Sequence, residues 1–434
     1  MQNLFGKGND FFKKSLIIIF FTFLSSPALA EVNNGDTAWI LTSTALVLFM
    51  TLPGLALFYA GLVQSKNVLS VLCQHFGIAC LMSILWIILG YSIAFSPGDS
   101  RLFGDFSKLF IELPTNSVVG SIPEVLFVMF QMTFCIITPA LVIGAYVERI
   151  KYSVVLIFSA VWLLVVYCPV AFWVWGGGFL AEMGVKDFAG GIVVHTTAGL
   201  AALVIAFMLG KRRTFANNTM NPPHSPVLTM IGASMLWVGW FGFNGGSALA
   251  ADETASMAIL VTHVAASIGA FSWIIIEWIR FGKPSLVGMA TGMVAGLATI
   301  TPASGFVGVQ GAIVLGLTGG VLCYIAVDLI RIKLKIDDSL DVFAVHGVGG
   351  MLGTILCGWL ISSNWGGVGF DEGKTALEHV KTQSFAVLVT LLWTIFATFI
   401  ILKIISLFIS LRVDEEEEIQ GLDTSAHGES GYNN

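Results

Sequence analysis

The sequence predicts an all-α polytopic membrane protein, with eleven transmembrane helices arranged as a five-plus-five inverted repeat and an extra eleventh helix. Three observations carry that expectation. Only 11% of the 434 residues are charged and 56% are apolar, whereas a water-facing chain carries about 25% charge. Apolar runs of the ~20 residues that a helix needs to cross a bilayer recur eleven times after residue 30. Three short strings also return in the same order further along the chain. The net charge of −6, from 21 basic and 27 acidic residues, leaves no basic stripe of the kind nucleic acid requires and excludes that class of partner.

Residues 1–30 come first. Lys7, Lys13 and Lys14 precede the apolar stretch Leu16–Leu24, which leads to Pro27-Ala28-Leu29-Ala30 and then to polar residues. This is the layout of a cleaved signal peptide with an A-x-A site, and its apolar core is too short for a span. The mature amino terminus is therefore expected outside the cytoplasm. The expected spans follow near 37–63, 68–95, 123–147, 152–174, 189–209, 226–243, 256–281, 285–303, 308–330, 342–362 and 384–411. An odd number returns the carboxyl terminus to the inside. The loops agree: twelve Lys and Arg residues fall on the expected inner side, Arg149, Arg212, Arg331 and Arg412 among them, against five on the outer side. All six cysteines lie in apolar runs without metal or CxxC spacing and read as packing residues.

The recurring strings are Phe58-Tyr59-Ala60-Gly61 with Phe243-Asn244-Gly245-Gly246, Ile137-Thr138-Pro139-Ala140 with Ile300-Thr301-Pro302-Ala303, and Val194-His195 with Val345-His346. They sit on spans one and six, three and eight, five and ten. A repeat unit of five spans must turn over between its copies, here 37–209 and 226–362, so the symmetry axis lies in the membrane plane. The eleventh span, outside the repeat, is expected to belt it.

An ionisable residue inside a span is a candidate functional group. Among the candidates, His195 and His346 stand apart because the repeat makes them symmetry mates at mid-depth, where one ring N–H can donate to its neighbour's bare nitrogen. Such a pair holds one proton readily and two poorly, because adjacent imidazolium charges repel. His75 and His263 have no mates and read as structural. A second constellation is aromatic: Trp173 and Trp175 before a glycine triplet, Phe130 and Phe134 four apart on one helix face, and Trp240 with Phe243. Ring faces attract cations without a counter-anion, although an interfacial aromatic belt has the same composition.

These strings together resemble the ammonium transporter (Amt) family, its bacterial type within the wider Amt/Rh superfamily. The resemblance runs over nearly the whole mature chain and rests on PGLALFYAGLV at 53–63, FQMTFCIITPALVIGAYVERI at 130–150, WVWGGGFL at 173–180, DFAGGIVVHTTAG at 187–199, WFGFNGGSAL at 240–249, DVFAVHGVGG at 341–350 and GLDTSAHGE at 421–429. It implies an ammonium recruitment site of Phe130, Phe134, Trp175 and Ser247, and a gate of stacked Phe134 and Phe243. It further implies a pore and proton relay of His195 and His346, with Asp187 and Trp240 in support. The expected assembly is a homotrimer in the bacterial inner membrane. It would carry ammonium or ammonia, with methylammonium as an analogue, and a PII-type signalling protein would engage its inner face and tail. No cofactor, metal or enzymatic activity is implied, and no HExxH or GxSxG motif contradicts this.

Two rival classes make different demands. An Rh-like gas channel needs a less aromatic outer site than Trp175 and Ser247 offer. A haem held by two histidines needs a wide pocket, which a hydrogen-bonded pair denies. The charge also divides unevenly. The body from 31 to 413 holds 18 basic and 19 acidic residues, whereas the tail from Asp414 onward holds seven acids and neither Lys nor Arg. On charge alone that tail reads as a solvated end or an interaction tail; the resemblance at GLDTSAHGE implies a regulatory docking element.

Overall fold

The computed structural model describes residues 31–217 and 222–432; the expected signal peptide at 1–30 lies outside the described residues. Ten helices among them are long and apolar enough to cross a membrane. They are α1 (Asn34–Leu62), α2 (Ser65–Phe95), α3 (Glu124–Tyr146), α4 (Tyr152–Glu182), α5 (Gly191–Leu209), α6 (Pro226–Gly246), α7 (Glu253–Phe281), α9 (Val309–Lys333), α10 (Phe343–Leu360) and α11 (Ala376–Ser406). Between α7 and α9 lies α8, the shorter apolar helix Leu286–Ile300. Its 15 residues rise about 22 Å, short of the ~30 Å hydrocarbon layer, and Pro302 lies in the run of turns that follows. The helical polytopic membrane fold is thus as expected, with the eighth expected span truncated.

Lipid offers a helix end no water, so the first N–H groups need partners within the chain. Asn33 caps α1, Ser225 caps α6 ahead of Pro226, Asp252 caps α7 and Ser285 caps α8. A reciprocal pair of bonds between Thr375 and Glu378 starts α11 at Ala376, earlier than the expected 384, because hydropathy discounts its polar first turns. Close packing relies on small residues. A Cβ on Gly269 of α7 would sit 2.5 Å from the Gly292 carbonyl oxygen of α8, and one on Gly199 of α5 would sit 2.2 Å from Gly347 Cα of α10. Gly350 returns the latter contact against Gly191 and His195.

At one end of the bundle the expected inner-side cations meet the tail. Arg212 pairs with Glu148 at 2.8 Å and Asp337 at 2.9 Å, and the fully buried Arg149 donates to the Asp337 carbonyl at 2.6 Å and to Ser339 Oγ at 2.6 Å. The tail forms two short helices, α12 (Glu415–Gln420) and α13 (Leu422–His427), laid on this surface. Lys66 Nζ donates to the Glu418 carbonyl at 3.1 Å, Leu422 N–H to Asn67 Oδ1 at 2.8 Å, and Ser70 N–H to Asp423 Oδ1 at 2.8 Å. Arg412 and the Arg213 backbone both reach the Glu418 carboxylate, at 2.6 and 2.7 Å. Glu418 and Asp423 thus find cations and a helix N-terminus, whereas Asp414, Glu415, Glu416 and Glu429 remain exposed.

Candidate functional site

The candidate site begins with the segment before α5. Asp187 is buried, and its carboxylate accepts four backbone N–H groups: Gly190 at 2.9 Å and Gly191 at 2.6 Å on Oδ1, Ile192 at 2.8 Å and Val193 at 3.1 Å on Oδ2. These are the orphan donors of a helix N-terminus, so a side-chain anion there replaces water and complements the dipole. Burial pushes the Asp187 carboxyl up, against the downward pull of those four donors. Its own carbonyl accepts the Trp175 indole N–H at 2.8 Å. One residue thereby orients both the ring of α4 and the helix that carries His195, and it makes no hydrogen bond to the other expected site side chains.

The aromatic residues converge. Phe130 and Phe134 of α3 meet edge to face at 5.0 Å between ring centres, and Phe134 meets Trp175 edge to face at 6.0 Å. Phe134 stacks on Phe243 of α6 at 4.4 Å. Gly246 leaves no room for a side chain beside them, since its Cβ would lie 2.6 Å from Ser43 Cβ and 3.0 Å from the Phe130 ring. Ser247, at the end of α6, donates its hydroxyl hydrogen to the Phe243 carbonyl at 2.8 Å, which leaves its oxygen lone pairs available to a donor. Trp173 does not join this group: its indole N–H goes to the Leu102 carbonyl at 2.7 Å and its ring meets Trp393.

Below the stacked rings the two histidines meet. His195 Nδ1 lies 3.2 Å from His346 Nδ1, and the rings are nearly parallel, their centres 5.2 Å apart. A bond between two Nδ1 atoms needs one proton, so the two neutral rings must be opposite tautomers. Both rings are buried, and among the described residues His195 Nε2 has no hydrogen-bond partner. Trp240 stacks on His195 at 5.5 Å and is held by its indole N–H to Thr301 Oγ1 at 2.9 Å. Phe243 and both histidines border a cavity of about 10 Å³, with Leu141, Val194, Leu236 and Trp240 among its other walls. That is room for about one water-sized molecule. Beyond His346 a wider cavity of about 270 Å³ opens past Tyr59 and Val345 to Asp341, Glu148 and Arg212 on the tail-bearing face.

All nine expected site residues are thus drawn into one column. His75 and His263 are not: His75 Nδ1 bonds the Val71 carbonyl at 2.8 Å, and His263 packs on Trp237. Sequence reasoning missed Thr301, although it is part of the repeated Ile-Thr-Pro-Ala string, and Trp39, whose indole N–H holds the Gly245 carbonyl at 3.1 Å beside the site. No group of three or more His, Cys, Asp or Glu able to hold a metal occurs among the described residues.

A bundle of helices long and apolar enough to cross a membrane, enclosing an aromatic cluster, a buried pair of imidazoles and two cavities that both border His346, has the architecture of a polytopic membrane transport protein. The family model described as Ammonium Transporter Family matches residues 38–432. A protein named ammonium transporter from Aquifex aeolicus is 44% identical over 424 residues, covering 96% of this chain and 98% of its own. One of the same name from Bacillus subtilis is 43% identical, covering 92% and 99%. Among solved structures, Mep2 of Candida albicans superposes with a TM-score of 0.81 at 33% identity, covering 89% of this chain and 88% of its own. A structure described as a sensor Amt protein does so with a TM-score of 0.85 at 28% identity, covering 91% and 98%. The chain belongs to the Ammonium Transporter Family.

Proposed function

We propose that this chain takes up ammonium for nitrogen assimilation. On this reading it recruits the ion at Phe130, Phe134, Trp175 and Ser247, strips its proton, passes ammonia through the Phe134–Phe243 gate, and hands it along His195 and His346. The proton follows by a separate relay through the same two rings. The observation that carries this reading is the 3.2 Å contact between the imidazoles, set in a one-molecule cavity directly bordered by a gate ring. Energetics favour it over passage of the intact ion. Removing a charge from water costs tens of kcal/mol in idealised low dielectric, and each desolvated cation–π contact returns only about 2 kcal/mol. Potassium, with no proton to give up, cannot take this path.

The reading includes an assembly. The chain loses residues 1–30 as a signal peptide and spans the inner membrane eleven times, α8 included. Its amino terminus lies outside, and α1–α5 are related to α6–α10 by an inverted repeat. The reciprocal packing of Gly199 on Gly347 and Gly350 on Gly191 supports that symmetry. Three copies associate, and the tail-bearing face with its acidic tail receives a PII-type protein in the cytoplasm. Two measurements test the transport claim: methylammonium uptake by nitrogen-limited cells carrying wild type or the variants His195→Ala, His346→Ala and Trp175→Ala, and current in proteoliposomes after an ammonium jump. Uptake and current by wild type, with loss in the variants, are expected. No uptake by wild type overturns the function, and ammonia flux without current overturns the relay.

A further inference from the structure

The eleventh helix lies outside the recurring strings, yet one of its side chains reaches the outer site's foundations. Gln383 of α11 is buried and uses its amide in both directions on a single residue. Its Oε1 accepts the Lys186 N–H at 2.8 Å, and its Nε2 donates to the Lys186 carbonyl at 2.6 Å. Nε2 donates a second time, to the Thr354 carbonyl of α10 at 3.1 Å. Lys186 is the residue before Asp187, whose carbonyl holds Trp175 and whose carboxylate caps the helix of His195. One turn earlier on the same face of α11, His379 Nε2 accepts the Asp371 N–H at 3.2 Å, and Asp371 pairs with Lys186 Nζ at 2.9 Å. The irregular segment between α4 and α5 is therefore tied to α11 by its backbone and by its side chain.

We infer that Gln383 is a positioning residue: it fixes the Lys186 peptide and so sets where Asp187 places the Trp175 ring at the recruitment site. The inference rests on the proposed function for its transport consequence, and it gives α11 a task beyond belting the repeat. A side chain that both gives to and takes from one residue's backbone fixes the orientation of the peptide planes on both sides of that residue. Trp175 is one hydrogen bond further on. Other anchors hold the segment near its place, including the Phe188 N–H on the Pro302 carbonyl at 3.0 Å. Loss of the clamp should therefore blur the site without unfolding the bundle.

The test compares Gln383→Met, which keeps length and removes every bond, with Gln383→Glu, which keeps the acceptor for Lys186 N–H and loses the donors. Phe385→Leu on the half-exposed face of α11 is the control. In proteoliposomes, methylammonium KM should rise about tenfold for the Met variant, the scale of losing one buried hydrogen-bond partner. It should rise by less for Glu and stay unchanged for the control, with Vmax preserved throughout. A purely structural side chain would lower Vmax with the amount of folded protein and leave KM alone, and that result overturns the assignment. Backbone hydrogen exchange supplies a readout independent of transport: amides of residues 186–193 should exchange about tenfold faster in the Met variant, those of 197–209 at the wild-type rate. Unchanged exchange at 186–193 overturns the clamp even if wild type carries no methylammonium, a result that would count against the transport reading alone.

Discussion

Asp187→Asn should be one of the costliest single-atom-scale changes in this protein. The carboxylate serves four N–H donors, two on each oxygen. An asparagine keeps one oxygen and turns an NH₂ toward the other pair, so two buried backbone donors face a third donor. Net hydrogen bonds to a charged group are worth about 1.5–3 kcal/mol each. Losing two costs about 3–6 kcal/mol, and the two that remain weaken because their acceptor is no longer charged. Replacement by alanine empties all four positions but leaves room for water, so Asn should be no better than Ala despite its closer shape. The assay is thermal unfolding of the purified protein in detergent, followed by intrinsic fluorescence, alongside methylammonium uptake at matched protein amount. Uptake should fall in both variants, because Trp175 and the His195 helix lose their common anchor. An asparagine variant with wild-type melting and wild-type uptake would refute the reasoning, since it would mean the four bonds contribute nothing net.

Trp175→Ala should raise methylammonium KM by about 5- to 30-fold, the worth of one well-placed cation–π contact of ~1–2 kcal/mol, read from uptake kinetics. Replacing either His195 or His346 by Leu should reduce ammonium-evoked current at least tenfold, because one nitrogen of the pair is then left without its partner; equal currents on a supported membrane count against the relay. Asp338, in the loop before α10, has its carboxyl pushed up to about 7 by burial and by Asp341. Its folded form therefore holds a proton that the unfolded chain releases, so its contribution grows less favourable as pH rises from about 4 through 7. Asp338→Asn should accordingly raise the melting temperature at pH 8 and change it little at pH 4, while still accepting the Phe343 N–H. Asp423→Ala removes the acceptor from Ser70 N–H at the start of α2, costs about 1 kcal/mol as other lost caps do, and should speed proteolytic clipping of residues 414–432.

Much of this architecture was legible because lipid imposes a simple grammar: long apolar runs, cations at one set of loops, and polar groups inside a span only for a reason. His195 and His346 can be paired from the sequence because the same short string recurs around each. The missed parts obey a different logic. Gln383 and Thr301 act through hydrogen bonds to residues 197 and 61 positions away in sequence, and neither carries a charge or a motif to announce it. The early start of α11 was hidden by Glu378, His379, Lys381 and Gln383, polar residues that hydropathy counts against a span. Two of them are the ones that hold the Lys186–Asp371 clasp. Trp173 shows the reverse error: its neighbour Trp175 is in the aromatic column, and two residues of helix turn it away toward Leu102 and Trp393.

The column itself suggests how an ion transporter on the proposed reading avoids becoming an ion channel. The residues bordering the central cavity are apolar or aromatic apart from the two histidines. Asp187, whose carbonyl holds Trp175, has both carboxylate oxygens engaged by four backbone N–H groups. On the tail-bearing side, charge reappears only in the wider cavity, with Asp341, Glu148 and Arg212. A bare cation between these limits would meet no counter-charge, and a cavity of about 10 Å³ has no space for the several waters that could replace one. A neutral molecule with one lone pair and several N–H bonds meets two rings that can accept and donate. If the tautomers of the pair must exchange after each proton passes, they reset by ring reorientation or by a second proton step. Turnover should then slow in D₂O more for current than for methylammonium binding. A current that is insensitive to D₂O while binding is slowed would place the limiting step at the aromatic mouth and away from the histidines.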